Sequence, residues 1–530
     1  MKENLPNKKD KPYFFQSFTI VAISIVAMLV FKSFLPEKIF TETASTKNVV
    51  VDSLMLEAVE ADGGEMEKDT LSNKKIVFEA TNGIKFPAET FEEYKGYQHL
   101  VNFYEKLLQL ETKRQGKVRI AYFGDSMTDG DMIVKDFRAS LQERFGGEGV
   151  GFVNITSESA PSRSTLTHQF SNNWKTQSYL NVKNPRSPFG VNGHVFFVKH
   201  DTINPVWVRY KANNVRNLTM LNNPTLFYGR SGNREGRINV IAGKDTLRKK
   251  LNPVNMLNTL SVAGDVKGFR ADFVAADSIP FYGFNFDDGR GVHVDNFSNR
   301  GNSGLPIGSF NANVMKAFNE KLEYDLIVLH YGTNVLNYGS LNYNWYEKRM
   351  AKVVSHLREC FPGVAILIIS TADKSTKYGL EMKTDSAVAP LSTAQKRYAV
   401  KTESAYVNLY MLMGGDGSMV RWVEEAAPAL ANKDYTHFNF RGSKKISDLI
   451  WNQVSGGYEQ YKRLRGFKTP VAPLPVTVPT TDTVKPAIKH VPLKSTQTAS
   501  RKPAAASPPA KKPVVRKDTI IRKKDTTHVQ

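Results

Sequence analysis

The sequence predicts a doubly wound, parallel α/β sheet with an inserted β-sandwich, an N-terminal transmembrane helix and a disordered C-terminal tail. Three observations carry this. Apolar runs that read as buried strands alternate with helix-period stretches at both ends of the central region, the pattern of a parallel sheet. Between them, from 162 to 296, lie short β-rich pieces separated by Asn, Gly, Asp and Pro turns, with no long amphipathic helix. The termini differ from both in composition. At 530 residues the chain has room for two or three domains.

Lys8, Lys9 and Lys11 precede an uncharged stretch from Pro12 to Phe31. About 20 such residues span a bilayer as a helix, and positive charge on the N-terminal side keeps that end in the cytoplasm. Residues 1–12 are therefore expected to be cytoplasmic and 13–35 to be a signal anchor. Lys32-Ser33-Phe34-Leu35-Pro36-Glu37 is a poor context for signal peptidase, so an uncleaved anchor is favoured over a cleaved signal peptide. In either case the remainder is exported. Residues 36–77 are polar, partly acidic and aperiodic, and read as a spacer.

The first part of the α/β domain is expected at 78–161. Apolar residues recur at helical spacing from Tyr94 to Leu110, followed by a strand from Val118 to Phe123. The second part, 297–465, holds the strand Asp325–His330, a helix from Trp345 to Phe361, the stop Pro362-Gly363 and the apolar run Val364–Ser370. From 466 onward the chain is rich in Pro, Thr and Ala and carries 13 Lys/Arg against 3 Asp/Glu, a net +10 of the whole chain's +21. Such a segment buries too little apolar surface to offset its ordering entropy. Its positive field favours an anionic wall polymer or lipid surface, and export argues against a specific nucleic-acid partner. Cys360 is the only cysteine, which excludes a disulfide framework and a cysteine-based metal site. The scattered histidines show no metal-ligand spacing.

The strand ending at Phe123 gives way abruptly to Gly124-Asp125-Ser126, then to the periodic stretch from Met132 to Phe145. A serine hydroxyl is thus placed at the C-terminal edge of a sheet, where open α/β folds bind ligands. Three further blocks follow: Asn299-Arg300-Gly301-Asn302-Ser303-Gly304, then Gly332-Thr333-Asn334 at a strand end, then Asp434-Tyr435-Thr436-His437. Hydrolysis of an ester at neutral pH needs a nucleophile, a base and donors for an oxyanion. Ser126 supplies the hydroxyl, and His437, the residue type that most often serves as general base, suits that role. Asp434, three residues before it, suits the partner that fixes its tautomer. Donors are expected from the backbone N–H groups of Ser126 and Gly301 and from the Asn334 amide. Gly304 competes with Gly301 for that part. Asp125 reads as a structural residue of the turn, and His330 as a core histidine more often than a second base.

These four blocks, in this order, resemble the SGNH hydrolase superfamily, whose GDSL subgroup has leucine where this chain has Met127. Leu141 to Val153, Tyr331-Gly332-Thr333-Asn334 and Met413-Gly414-Gly415 with Trp422 are similar to exported peptidoglycan O-acetylesterases and O-acetyltransferases. The resemblance spans about Phe78 to Tyr461. It implies a carbohydrate-binding-like β-module between the first and second blocks. It also implies an acetyl-Ser126 intermediate resolved by water or by a sugar hydroxyl, an acetylated glycan as substrate, and neither metal nor organic cofactor. A non-catalytic tether that holds wall glycan is the alternative of a different class.

Overall fold

The computed structural model describes residues 74–199, 205–336 and 341–466, together with Met55. The expected cytoplasmic segment and anchor (1–35), and the tail beyond Gly466, lie outside the described residues. Among those described, no helix is long and apolar enough to cross a membrane. Met55, in the stretch read as a spacer, is buried in the α/β core.

That core is built on five parallel strands: β1 (Lys117–Gly124), β2 (Gly291–Asn296), β3 (Leu326–His330), β4 (Ala365–Ile369) and β5 (Ala405–Val407). Their spatial order is β2-β1-β3-β4-β5. β3 and β4 are buried at every position, which is why they read as continuous apolar runs. The helices are α1 (Val101–Lys113), α2 (Val134–Phe145), α3 (Ala312–Leu322), α4 (Asn344–Cys360), α5 (Val388–Lys401) and α6 (Phe440–Leu464). α1, α2 and α6 pack together, and so do α3, α4 and α5. Right-handed crossovers place the connection from β1 to β2 on one face and those from β2 through β5 on the other. The direction of winding therefore reverses between β1 and β3, and the crevice beyond their carboxyl ends is the ligand-binding position of such sheets.

Between α2 and β2 the chain forms two antiparallel sheets. One contains Thr225–Gly229 and Phe281–Phe286, and the other contains Val206–Ala212 and Gly268–Val274. Their inner faces share a second apolar core in which Phe284 lies 5.4 Å from both Tyr210 and Phe269, and Phe281 4.8 Å from Phe273. The strands differ from the expected 162–296 span at both ends. Gly151–Val153 already pairs with Phe281–Phe286, so the antiparallel part starts earlier. Residues 291–296, placed within that span, instead form β2 beside β1. Gly291-Val292-His293-Val294-Asp295 is β-rich in either setting, and its polar His293 and Asp295 are both fully buried.

Two buried ion networks fix the junctions. Arg119 on β1 binds both carboxylate oxygens of Asp295 at 2.7 Å and Asp287 at 2.5 Å, and its side chain is fully buried. Asp131, after the Ser126 turn, accepts both Arg138 Nη groups at 2.9 and 3.0 Å and the Thr165 hydroxyl at 3.0 Å. Burial alone would raise the Asp131 carboxyl, but Arg138 and Arg163 outweigh it and hold it well below the usual carboxylate range. A depressed folded-state value contributes stability that is complete above the unfolded carboxylate's pKa of about 4 and lost as pH falls further. The denaturant midpoint of the unaltered protein should thus exceed that of Asp131→Asn at neutral pH. The gap should narrow in acid below about pH 4. A gap independent of pH would contradict this ion pairing.

Candidate active site

β1 ends at Gly124, where a Cβ would lie 2.1 Å from Thr128 Oγ1 and 3.3 Å from the His330 carbonyl. Glycine permits that close approach, and the chain turns at once. Asp125 Oδ1 accepts the Met127 N–H at 2.9 Å, while its backbone carbonyl accepts the N–H groups of Thr128 and Asp129 at 3.3 and 3.0 Å. This local closure leaves Ser126 half-buried at the top of β1, with Met127 packed into the core.

His437 comes from the loop that leads into α6. Asn439 caps that helix, its side chain accepting the N–H groups of Arg441 and Gly442. The His437 backbone is held separately: its N–H donates to Asp434 Oδ1 at 2.9 Å, and its carbonyl accepts the Asn432 N–H at 2.9 Å. The imidazole then bridges two partners, with Nδ1 2.8 Å from Asp434 Oδ2 and Nε2 3.0 Å from Ser126 Oγ. Burial would raise the Asp434 carboxyl, but bonds from His437 and Thr436 lower it, so it is ionised at neutral pH. An anionic Asp434 at Nδ1 favours a proton there and leaves Nε2 to accept from Ser126. The structure therefore brings Ser126, His437 and Asp434 together in one hydrogen-bonded line.

Asn334 follows β3, across the switch crevice from Ser126. Its Nδ2 donates to the Asn302 carbonyl at 3.1 Å and makes a longer, 3.4 Å contact with Asp125 Oδ2. Gly301 lies in the adjoining turn with φ of 72°, a conformation that favours glycine. The backbone N–H groups of Ser126 and Gly301 have no acceptor among the described residues. Gly304 sits instead behind the turn, where a Cβ would lie 2.8 Å from the Tyr331 ring. That is a packing position.

Asn302 was not singled out in the sequence reading. It is buried, accepts the Gly304 N–H at 2.9 Å through Oδ1 and donates to Tyr331 Oη at 3.1 Å, so it holds the turn that meets Asn334. The only signal for it was its place next to Gly301. Asp125 is fully buried and its carboxyl is pushed up to about 6, chiefly by burial. His330 is bonded to Tyr122 at 2.8 Å, and burial lowers its pKa to about 3, as suits a neutral core histidine. Among the described residues no group of His, Cys, Asp and Glu side chains has the arrangement of a metal site. Asp287, in the Asp-Asp-Gly turn, is committed to Arg119.

A parallel sheet with a serine, an asparagine and a histidine converging on its switch point has an SGNH-hydrolase-like fold. A solved structure of a peptidoglycan O-acetylesterase shares that fold: it is 18% identical, covers 68% of this chain and 96% of its own, and superposes with a TM-score of 0.56. An acetyl xylan esterase (15% identical, 30% of this chain and 79% of its own, TM-score 0.22) and a family two carbohydrate esterase from Cellvibrio japonicus (9%, 56% and 98%, TM-score 0.23) match less closely. No family model matches the chain, and neither does any curated protein.

Proposed function

We propose that the protein is a serine esterase that removes O-acetyl groups from peptidoglycan or a related glycan through an acetyl-Ser126 intermediate. The observation that carries this is the line Ser126–His437–Asp434, with bonds of 3.0 and 2.8 Å. Nε2 takes the hydroxyl proton as Oγ attacks the ester carbonyl, and Asp434 stabilises the resulting imidazolium. Ser126 N–H, Gly301 N–H and the Asn334 amide supply donors for the oxyanion. The imidazolium returns its proton to the departing sugar oxygen. Water then attacks the acetyl-enzyme with Nε2 again as base, and acetate leaves. The activity of the protein sharing the fold supports the choice of acyl group and glycan.

Asn334→Ala tests the oxyanion assignment. Removing one donor of this kind costs about 10²–10³ in kcat with little change in KM. An unchanged kcat would remove Asn334 from the oxyanion hole. The whole reading is tested by incubating the protein with O-acetylated peptidoglycan and quantifying free acetate together with acetyl transfer to an added glycan acceptor. Acetate is the expected product. Dominant transfer would make the protein an acetyltransferase on the same scaffold, and neither product would leave a wall-binding tether.

The apolar stretch 12–31 behind Lys8, Lys9 and Lys11 supports a single-pass anchor that holds the enzyme on the outer side of the cytoplasmic membrane. The basic composition of 466–530 supports contact with an anionic wall or lipid surface.

A further inference from the structure

The second antiparallel sheet has its strands in the order Leu166–Phe170, Val206–Ala212, Gly268–Val274, Arg237–Ala242 and Asp245–Lys250. One face carries Val208, Tyr210, Ile238, Val240, Phe269 and Phe273 into the apolar core of the antiparallel part. The sheet of Thr225–Gly229 and Phe281–Phe286 lies across that core. Its Phe227 and Tyr282 pack on Phe318 of α3, with ring centroids 5.7 and 5.3 Å apart. The remaining face of the second sheet is therefore turned away from the parallel domain, toward solvent. Side chains alternate along a strand and directly paired residues share a face, so register decides what this face displays.

The display is basic. Arg209, Lys211, Arg237, Arg248, Lys250 and Arg270 lie on it, and in these strands Asp272 is the one carboxylate beside them. Asp272 accepts Arg270 Nε at 2.6 Å, and the other five form no ion pair among the described residues. Arg209 stands directly opposite Arg270, and Arg237 directly opposite Lys250. Like charges paired in this way are destabilising. Lysine on the edge strand Asp245–Lys250 guards against edge-to-edge association. Arg209 and Arg270 belong to interior strands, where no edge needs guarding. Folding therefore does not account for these charges, and an anionic partner does. Trp207 shares the face and is partly exposed, with the Arg270 and Arg209 guanidinium carbons 4.7 and 6.0 Å from its ring centroid.

We infer that this face docks on the anionic headgroups of a phospholipid bilayer. Three features favour a lipid surface over a soluble polyanion. The basic side chains spread over four adjacent strands, about 15 Å across, instead of following one strand. Tryptophan is enriched where protein meets lipid headgroups, and here it stands among arginines. The apolar stretch 12–31 supports an anchor in a bilayer, so such a surface is within reach of the exported part. Each basic side chain brought near an anionic leaflet gains about fivefold in binding, an effect that salt screens. Docking sets the second sheet against the leaflet and the parallel domain on the far side of the antiparallel part. The inference does not depend on the esterase reading.

The test places a fluorophore on Thr246→Cys, a position on this face, with the buried Cys360 left in place. The full chain is reconstituted with phosphatidylcholine vesicles, with or without about one third phosphatidylglycerol, that carry a nitroxide quencher on the lipid headgroups. Quenching should appear with phosphatidylglycerol, be absent without it, and be lost in about 0.5 M salt. It should also be lost in Arg248→Glu/Lys250→Glu. That variant keeps the anchor stretch and the basic tail, and it replaces the like-charge pair at Arg237 with an opposite-charge one, so it should fold at least as well. Quenching that ignores phosphatidylglycerol, or that survives the double substitution, would overturn the docking face. Capture of soluble polyphosphate by the unaltered chain, lost in the double variant and with no quenching on vesicles, would also overturn it and mark a polymer site instead.

Discussion

Replacing Ser126 with alanine is expected to lower acetate release by at least about 10⁴-fold while leaving the fold intact. The size follows from the geometry. Ser126 Oγ is the atom that His437 Nε2 approaches at 3.0 Å, and without it no acetyl-enzyme forms. The oxyanion donors remain, so a residue of catalysis above the uncatalysed rate survives. Stability should barely change. Ser126 is half-buried, and the bonds that close its turn come from Asp125, not from the serine hydroxyl. The check is acetate release by both proteins under identical conditions, with circular dichroism to confirm the fold. Activity within tenfold of the unaltered protein would place the chemistry elsewhere.

The largest effect on stability is expected from Arg119→Met. This change leaves Asp295 and Asp287 without the guanidinium that balances them, and Asp295 has no access to solvent. Removing one partner of such a buried network costs about 3–5 kcal/mol, because the remaining charge is stranded in a medium of low polarity. The loss should appear as a lower denaturant midpoint. Asp287 lies just after Phe281–Phe286, so the antiparallel part should loosen together with the parallel sheet. Adding Asp287→Asn should recover part of the loss by removing one stranded charge, a coupling that a double-mutant cycle measures. A loss below about 1 kcal/mol, typical of a solvent-exposed pair, would show that the network is not sealed from water.

The strand ends of the parallel sheet were legible because a strand buried on both faces must be apolar throughout, as Leu326–Leu329 and Ala365–Ile369 are. Ser126, His437 and Asp434 were legible for a related reason. Two of them stand three residues apart on one loop, and the third ends a strand, so few contacts had to be inferred. The failures come from long-range pairing. Residues 291–296 were grouped with the antiparallel segment, yet Arg119, 176 positions before Asp295, pairs with it and lets β2 be buried beside β1. Gly151–Val153 is too short to announce its partner in Phe281–Phe286. Asn302 carries no motif of its own, since its part depends on Tyr331 and Asn334 arriving from β3. Local chemistry was readable from composition and spacing; the register that joins the antiparallel part to the sheet was not.

The central claim is that Ser126 is the atom acylated. Rapid-quench intact-mass analysis of the full chain with an activated acetyl ester, followed by peptide mapping, tests it most directly. The expected result is a transient gain of one acetyl group on the peptide that contains Ser126, absent from Ser126→Ala. Turnover without an acetylated intermediate, or with the acetyl group on another residue, would contradict it.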